Sequence, residues 1–306
     1  MKEIAILLPC YNENTTIIRF LEILEEAIKD LPHNFRVIVI DDASTDNTLV
    51  LLQQFSFQNP AIQIDILSLK FNIGHQGAIY QGFLYAQSLT NNTFIIMDSD
   101  GEDDPKAIKI LLEKAPNHQI INVVRGKRRE SLSFILFYQV YKLIFKFITG
   151  TTINYGNYSL ITKKILEKAI FHQFNHFPAF LSKQKCSKTT IMVDRMKRIS
   201  GKSKMRFSNL LYHAFYSFVE YAESILLVFF KLFIFLVLLF FIAIGNVLYQ
   251  KFIANTAILG WSSTIAISLM NTALISIGFF VMGILSLNLQ KKNSEDKKTK
   301  IYEKIN

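Results

Sequence analysis

Between Phe252 and Leu289 the chain carries no charged side chain, and between Ile225 and Tyr249 it carries one, Lys231. About 20 consecutive apolar residues cross the hydrocarbon core of a bilayer, so the two stretches predict two crossings, near 225–249 and 264–289. A soluble fold would have to bury such a run on every face. Lys231 stands in the first turns of the first crossing, where a long stem lets the ammonium reach the headgroups. Asn255–Ser263, with Gly260 and Trp261, reads as an interfacial turn, and membrane lipids are an expected partner of the chain. Lys251 is the one basic residue beside that turn, whereas Lys291, Lys292, Lys297, Lys298 and Lys300 follow the second crossing. The cytoplasmic excess of basic residues then predicts a multi-pass protein of the plasma (inner) membrane. Its tail, 291–306, and its N-terminal domain would both be cytoplasmic.

Up to about Lys204 the pattern is that of a water-facing domain. Ile4–Leu8, Val37–Ile40, Ile62–Leu69, Phe94–Met97 and Ile120–Val124 are short apolar runs that read as buried strands. Helical spacing fills the gaps at Thr15–Leu31, Thr48–Phe55, Ala78–Ser88 and Ala107–Ala115. Alternating strands and helices predict an α/β fold with a mostly parallel sheet. Met1–Leu8 enters the first strand directly, so no signal peptide is expected. Leu132–Ile148 and Phe207–Tyr221 are aromatic-rich; they read either as core helices or as helices in the membrane interface, and the crossings favour the second. The expected domains are therefore 1–205 with an interfacial helix at 132–150, a juxtamembrane helix at 206–223, a hairpin at 224–290, and the tail.

The formal charge of +10 implies an anionic partner. Basic residues gather at Arg125–Arg129 and from Lys183 to Arg206, beside the membrane-seeking segments rather than on a groove-reading helix, so nucleic acid is not expected as a partner. The second run also fits a patch attracted to anionic lipids. Cys10 and Cys186 are the only cysteines and have no zinc-type spacing. His75 and His213 likewise lack partners at metal-ligand spacing and read as ordinary polar contacts.

Polar clusters stand at strand ends, where open α/β sheets collect ligands. Pro9-Cys10-Tyr11-Asn12-Glu13-Asn14 offers a ring to stack on a base and polar groups for its edge, or is a plain polar turn. Asp41-Asp42-Ala43-Ser44-Thr45-Asp46 follows the second strand; Ser44 or Asp46 suits a helix cap, and one of the paired aspartates should face the crevice. In Met97-Asp98-Ser99-Asp100-Gly101-Glu102-Asp103-Asp104-Pro105, five carboxylates repel unless a cation or N–H donors compensate them. Asp98 and Asp100, two apart, project to one side. Oxygen-only ligands suit Mg²⁺ or Mn²⁺ bridging to phosphates; the bland alternative is a solvated turn capping a helix.

In this order, PCYNEN, DDASTD, FNIGHQGA (Phe71–Ala78) and DSDGEDDP resemble glycosyltransferase family 2 with its GT-A nucleotide-sugar fold, over about residues 1–205. Arg198-Ile199-Ser200-Gly201-Lys202-Ser203-Lys204 is similar to the Arg-x-x-Gly-x-Ser-Lys of polyprenyl-phosphate glycosyltransferases such as the dolichyl-phosphate mannosyltransferases, and the terminal pair of crossings fits that group. The resemblance implies a nucleotide-sugar site formed by Pro9, Tyr11, Glu13, Ile40, Asp42, Met97, Asp98 and Ser99. It implies a metal on Asp98 and Asp100, and diphosphate or acceptor phosphate on Arg198 and Lys204 with an arginine from Arg125 or Arg128. Asp98, Asp100, Arg198 and Lys204 would be the catalytic set. Where many members have Asp-Phe-Arg, this chain has Asn157-Tyr158-Ser159, and Ser200 replaces an aromatic.

A lipid phosphate is already an anion near pH 7 and needs no general base to attack an anomeric carbon. The leaving diphosphate needs compensation, which a divalent ion and cationic side chains supply. The expected activity is a metal-dependent, inverting hexosyl transfer from a nucleotide-sugar to a polyprenyl phosphate, in the building of the cell envelope. Two rivals stand beside it. A family 2 enzyme with a saccharide or lipid hydroxyl acceptor would call on Asp103 or Asp104 as base, and a catalytically inactive scaffold would bind partners only. A homo-oligomer is compatible with either.

Overall fold

The computed structural model describes residues 3–126, 132–199, 207–254, 261–292 and 299–305. The chain divides into two units: 1–142, 151–220 and 297–306 form the first, and 143–150 with 221–296 the second.

The first unit is built on an eight-stranded sheet. Its strands are β1 (Glu3–Cys10), β2 (Asn34–Asp41), β3 (Ile62–Leu69), β4 (Thr93–Ile96), β5 (Ile120–Arg125), β6 (Tyr155–Thr162), β7 (Lys188–Val193) and β8 (Tyr302–Lys304), in spatial order β7-β5-β6-β4-β1-β2-β3-β8. β4, β1, β2 and β3 run parallel, as the βα alternation predicts. β6 enters antiparallel between β4 and β5, and β8 is antiparallel to β3, so the sheet as a whole is mixed. Residues 151–193, which form β6, β7 and two short helices, carried no strand expectation.

Side chains alternate along the central strands. Ile4, Ile6, Leu8 and Cys10 of β1 join Val37 and Val39 against α1 (Ile17–Ile28), α2 (Thr48–Gln53) and α4 (Ala107–Lys114). Ala5 and Leu7 face the other way with Ile38 and Ile40, against α3 (His75–Ala86), α6 (Lys163–His172) and α7 (Phe177–Lys183). Both faces are therefore covered, as a parallel core requires. On α3, Gly82 lets the helix lie close to the sheet, since a Cβ there would meet Ile40 and Leu7 at 3.0 Å. Phe83 is fully buried beside Phe174 and Phe177, with ring centroids 5.7 and 5.4 Å away.

Three further helices are α5 (Leu132–Thr149), α8 (Phe207–Glu220) and α9 (Ala222–Phe252), followed by α10 (Trp261–Lys292). The second unit holds α9, α10 and the last turns of α5. Two segments in it are long and apolar enough to cross a membrane, Ala222–Phe252 with mean hydropathy 3.2 and Thr264–Leu287 with mean hydropathy 2.0. α9 and α10 touch through Phe229 and Phe279, Phe230 and Phe280, and the Ser276 hydroxyl, which donates to the Phe229 carbonyl at 2.7 Å. Gly283 sits against the end of the Leu226 side chain, which would have to shift to admit a Cβ; small residues of this kind let two helices approach. Trp261–Ser263 belong to the first turn of α10; the rest of the expected interfacial turn, 255–260, lies outside the described residues.

Candidate active site

β1, β2 and β4 are neighbours and parallel, so the turns that follow them share one edge of the sheet. Cys10 pairs with Asp41, and Leu7 with Ile96. Beyond the strands, the Asp42 N–H donates to the Cys10 carbonyl at 2.8 Å and the Met97 N–H to that of Leu7 at 3.2 Å. The three acidic and polar clusters of the sequence are thereby brought together.

The first two clusters lock into each other. The Asn12 N–H donates to Ser44 Oγ (2.9 Å), the Thr45 N–H to Asn12 Oδ1 (2.8 Å), and the Glu13 N–H to Thr48 Oγ1 (2.9 Å). Asn12 has φ 53° and Ala43 φ 55°; asparagine tolerates this left-handed region and alanine does so at a cost. Asp46 Oδ1 accepts from the Thr48 N–H at 2.9 Å in the turn ahead of α2, whose N-cap is Asn47 rather than Ser44 or Asp46. Tyr11 remains exposed above β1, as a stacking platform must. Glu13 anchors α1 by accepting through its carbonyl from Thr16 and Ile17. Ile40 and Met97 are buried in the sheet. The Ser99 hydroxyl donates to the Pro9 carbonyl at 2.8 Å and ties the third cluster to the first.

Asp42 is buried, and its two oxygens accept from the Ile73 and Gly74 N–H groups at 2.8 and 2.9 Å. Burial pushes its carboxyl up, and the two backbone bonds oppose the rise. Gly74 has φ 80° at the entrance to α3, which glycine alone adopts without strain. Asp42 thus carries a scaffolding duty beside any contact to a nucleotide.

Within the acidic loop, three of the five carboxylates accept backbone N–H groups of the loop itself or of the residue that leads into α4. Asp103 is buried and accepts from the Asp98 N–H at 3.0 Å; Asp104 accepts from the Lys106 N–H at 2.9 Å ahead of α4. Asp100 Oδ1 accepts from the Glu102 N–H at 3.1 Å. Burial and the neighbouring Asp98 raise the Asp100 carboxyl, with Arg198 opposing.

Two segments distant in sequence complete the site. Arg198 Nη2 donates to Asp100 Oδ2 at 2.7 Å and its Nε to Glu102 Oε1 at 3.2 Å. Arg195 pairs with the other Glu102 oxygen, and the Met196 N–H donates to the Glu102 carbonyl at 3.0 Å. On the other side His75, the first residue of α3, places Nε2 3.1 Å from Asp98 Oδ1 and 2.9 Å from Asn157 Nδ2. Burial depresses the His75 imidazole, but Asp98, Asp100 and Asp103 outweigh it and leave it above its ordinary value. Gln76 continues the chain, donating to Asn157 Oδ1 at 3.0 Å and accepting from the Phe177 N–H at 2.6 Å.

Arg198, Asp98 and Asp100 therefore lie in one site. Arg125 ends β5, while Arg128 and Lys204 lie outside the described residues. Sequence reasoning set His75 aside as an ordinary polar contact, and it stands against Asp98. Its one available signal was its place in the FNIGHQGA turn at a strand end. Arg195 and Glu102 were missed as partners because nothing local links residues so far apart in sequence.

Among the described residues no three His, Cys, Asp or Glu side chains form a metal cluster. The Asp98 and Asp100 carboxylates suit a hard divalent cation that takes its other ligands from substrate phosphates and water. The donor chemistry fits, with two candidate carboxylates rather than a full cage.

A mixed sheet of this order, with acidic turns at the ends of its parallel strands met by a basic segment, is a GT-A-like fold. The model of glycosyl transferase family 2 matches residues 5–180, and the chain belongs to that family. A Bacillus subtilis glycosyltransferase, YkcC, is 24% identical over 97% of this chain and 92% of its own. The undecaprenyl-phosphate 4-deoxy-4-formamido-L-arabinose transferase of Yersinia pestis is 27% identical over 69% of this chain and 66% of its own length. Among solved structures, mannosyl-3-phosphoglycerate synthase from Rubrobacter xylanophilus superposes with a TM-score of 0.54 at 11% identity, covering 72% of this chain and 73% of that one. Glucosyl-3-phosphoglycerate synthase from Mycobacterium tuberculosis, in complex with Mn²⁺, UDP and phosphoglyceric acid, gives 0.51 at 13% identity, covering 73% and 78%. These two likenesses concern the fold.

Proposed function

We propose that the chain is a membrane-bound transferase that moves a sugar from a nucleotide diphosphate onto a polyprenyl phosphate with inversion. The observation that carries this reading is the meeting of Arg198 with Asp100 at the carboxyl end of the sheet, in a chain that also has two candidate membrane spans. Undecaprenyl phosphate is the acceptor named for the Yersinia relative.

In the reaction, an acceptor phosphate oxygen forms a bond to the anomeric carbon from one face. The bond from that carbon to the donor's β-phosphate oxygen breaks on the other, and its electron pair leaves with the nucleoside diphosphate. Tyr11, Glu13 and the Asp42 turn hold the nucleotide end. Asp98 and Asp100 would hold Mg²⁺ or Mn²⁺, which when bound neutralises charge on the diphosphate. Arg198, with Lys204 and an arginine from Arg125 or Arg128, offers charge-assisted hydrogen bonds to phosphate oxygens. Asp103 Oδ2 and Asp104 Oδ1 each accept a backbone N–H within the acidic loop. A hydroxyl acceptor would call on one of them as base through its other oxygen, whereas a phosphate acceptor needs neither.

For the membrane, the first unit contains the residues on either side of the α9–α10 hairpin, so an even number of crossings with both ends cytoplasmic satisfies the chain path. On α5, Leu143 and Phe147 are exposed by 73% and 84%, which supports a place in the lipid interface. The test is a panel of nucleotide-sugars supplied to the purified protein with undecaprenyl phosphate and Mg²⁺ or Mn²⁺. Label is expected in an acid-labile phospholipid; label only in a saccharide or a non-phosphate lipid, or none at all, would refute the assignment.

A further inference from the structure

The Arg198 guanidinium lies where an incoming cation would need Asp100. Nη2 donates to Asp100 Oδ2 at 2.7 Å while Nε reaches Glu102 Oε1 at 3.2 Å, so one planar group spans two carboxylates. All three side chains are largely buried, with exposures of 20%, 23% and 18% for Arg198, Asp100 and Glu102. The contact is therefore poorly screened by salt.

The segment that carries Arg198 is attached to the acidic loop independently of Asp100. The Met196 N–H donates to the Glu102 carbonyl at 3.0 Å, and Arg195 pairs with Glu102 Oε2. Ile199 packs on Gly101 so closely that a Cβ on the glycine would meet its Cδ1 at 2.6 Å. Losing the Asp100 contact would leave these three attachments in place.

We infer that Arg198 is a resident counter-ion of the acidic loop, holding Asp100 in the empty enzyme and changing partner to the donor's diphosphate when donor and divalent cation enter, with Glu102 as the pivot. The inference rests on the reading of Asp98 and Asp100 as cation ligands. A guanidinium and a divalent ion repel each other at one carboxylate, so the two compete for Asp100. A diphosphate brings the negative charge that lets both stay, the metal on Asp100 and the arginine on phosphate. The site would thus bind cation and donor together in preference to either alone. Glu102 keeps the guanidinium within reach, which makes it a positioning residue.

Competition of this kind lowers apparent cation affinity by the fraction of molecules in which the arginine has released the carboxylate. The experiment is a titration of the full-length protein in detergent with Mn²⁺ alone, following the electron paramagnetic resonance signal of free aqueous Mn²⁺. Arg198→Gln is expected to bind Mn²⁺ about tenfold more tightly than the native protein. Arg198→Lys, which keeps the charge but loses the fork that spans two carboxylates, should fall between them and serves if the glutamine variant does not fold. Asp100→Asn should lose binding. Equal or weaker Mn²⁺ binding in the Arg198 variants, with binding still lost in Asp100→Asn, overturns the counter-ion role and leaves the metal reading standing. Unchanged Mn²⁺ binding in Asp100→Asn, or none in the native protein and the Arg198 variants alike, overturns the metal reading and this inference with it.

Discussion

Lys304 Nζ lies 2.7 Å from Asp65 Oδ1, which places the third residue from the end of the chain against the third strand of its sheet. Arg36 Nη1 and the Tyr85 hydroxyl donate to the other Asp65 oxygen at 3.0 and 2.9 Å. Tyr302 packs edge-on against Tyr85. β8 thereby pairs with β3 and covers an edge that would otherwise present unpaired backbone groups.

This cluster makes the tail sensitive to acid. Burial raises the Asp65 carboxyl, but Lys304, Arg36 and Tyr85 together hold it below its ordinary value. A depressed folded value contributes stability above the unfolded carboxylate value, about 3.9, and that contribution is lost as pH falls through the lower, folded value. Amide hydrogen exchange at Tyr302–Lys304 is therefore expected to accelerate as pH drops below about 4, beyond the intrinsic pH dependence of exchange. Asp65→Asn should show the faster exchange already at neutral pH. Equal protection of β8 in the variant and the native protein would refute the account.

The core of the first unit offers a plainer test. Phe83 is fully buried on α3 against Phe174 and Phe177. Phe83→Ala removes a ring from a packed cluster, and such truncations cost about 3–5 kcal/mol. Chemical denaturation of the detergent-solubilised protein should show that loss, followed by a probe in the sheet unit; a change below about 1 kcal/mol would mean the cluster collapses onto the space or is not packed as described.

Much of this arrangement was legible from residues alone because its causes are local. Ile4–Leu8 and Val37–Ile40 are apolar runs too short for anything but buried strands, and the polar clusters PCYNEN and DDASTD follow them at one edge of the sheet. The charge-free run after Phe252 predicts a crossing, and Thr264–Leu287 is a helix long and apolar enough for one. β6 and β7 were not legible: Tyr155–Thr162 and Lys188–Val193 mix polar and apolar residues, and what makes them strands is pairing with β4 and β5, a non-local cause. β8 is shorter still and exists through Asp65 and β3. The site divides in the same way. Asp98 and Asp100 announce themselves by spacing, whereas Glu102 as the partner of Arg195 and Arg198, and His75 as the neighbour of Asp98, follow from packing across the sheet edge.

Gly101 joins the acidic loop to the basic segment. It has φ 78°, and a Cβ on it would strike Ile199. Gly101→Ala therefore carries two penalties, about 1–2 kcal/mol for the left-handed backbone and a displacement of Ile199 with the arginine beside it. A fall in kcat/KM of at least about tenfold is expected, which corresponds to 1.36 kcal/mol of transition-state stabilisation. Adding Ile199→Ala relieves the collision but not the backbone strain, so the double variant should recover part of the loss. Strict additivity of the two changes would show that they do not meet in the working enzyme.

The resemblance sets Asn157 against an aspartate, and hydrogen-bond polarity says what that exchange would do. The Phe177 N–H can only donate, so the Gln76 atom 2.6 Å from it is the carbonyl oxygen. Gln76 then donates to Asn157 Oδ1, and Asn157 turns its amide N–H toward His75 Nε2. Asn157→Asp preserves the acceptor for Gln76 but replaces that donor with a second carboxylate oxygen. His75, already raised by Asp98, Asp100 and Asp103 against its burial, would then face a further negative charge and be raised more. Its protonated form should persist to higher pH in the variant, by about one unit or more. Nitrogen-15 chemical shifts of selectively labelled histidine, followed across a pH titration, would report it. An unmoved or lowered midpoint would mean that the chain from Phe177 to His75 is not oriented as its donors require.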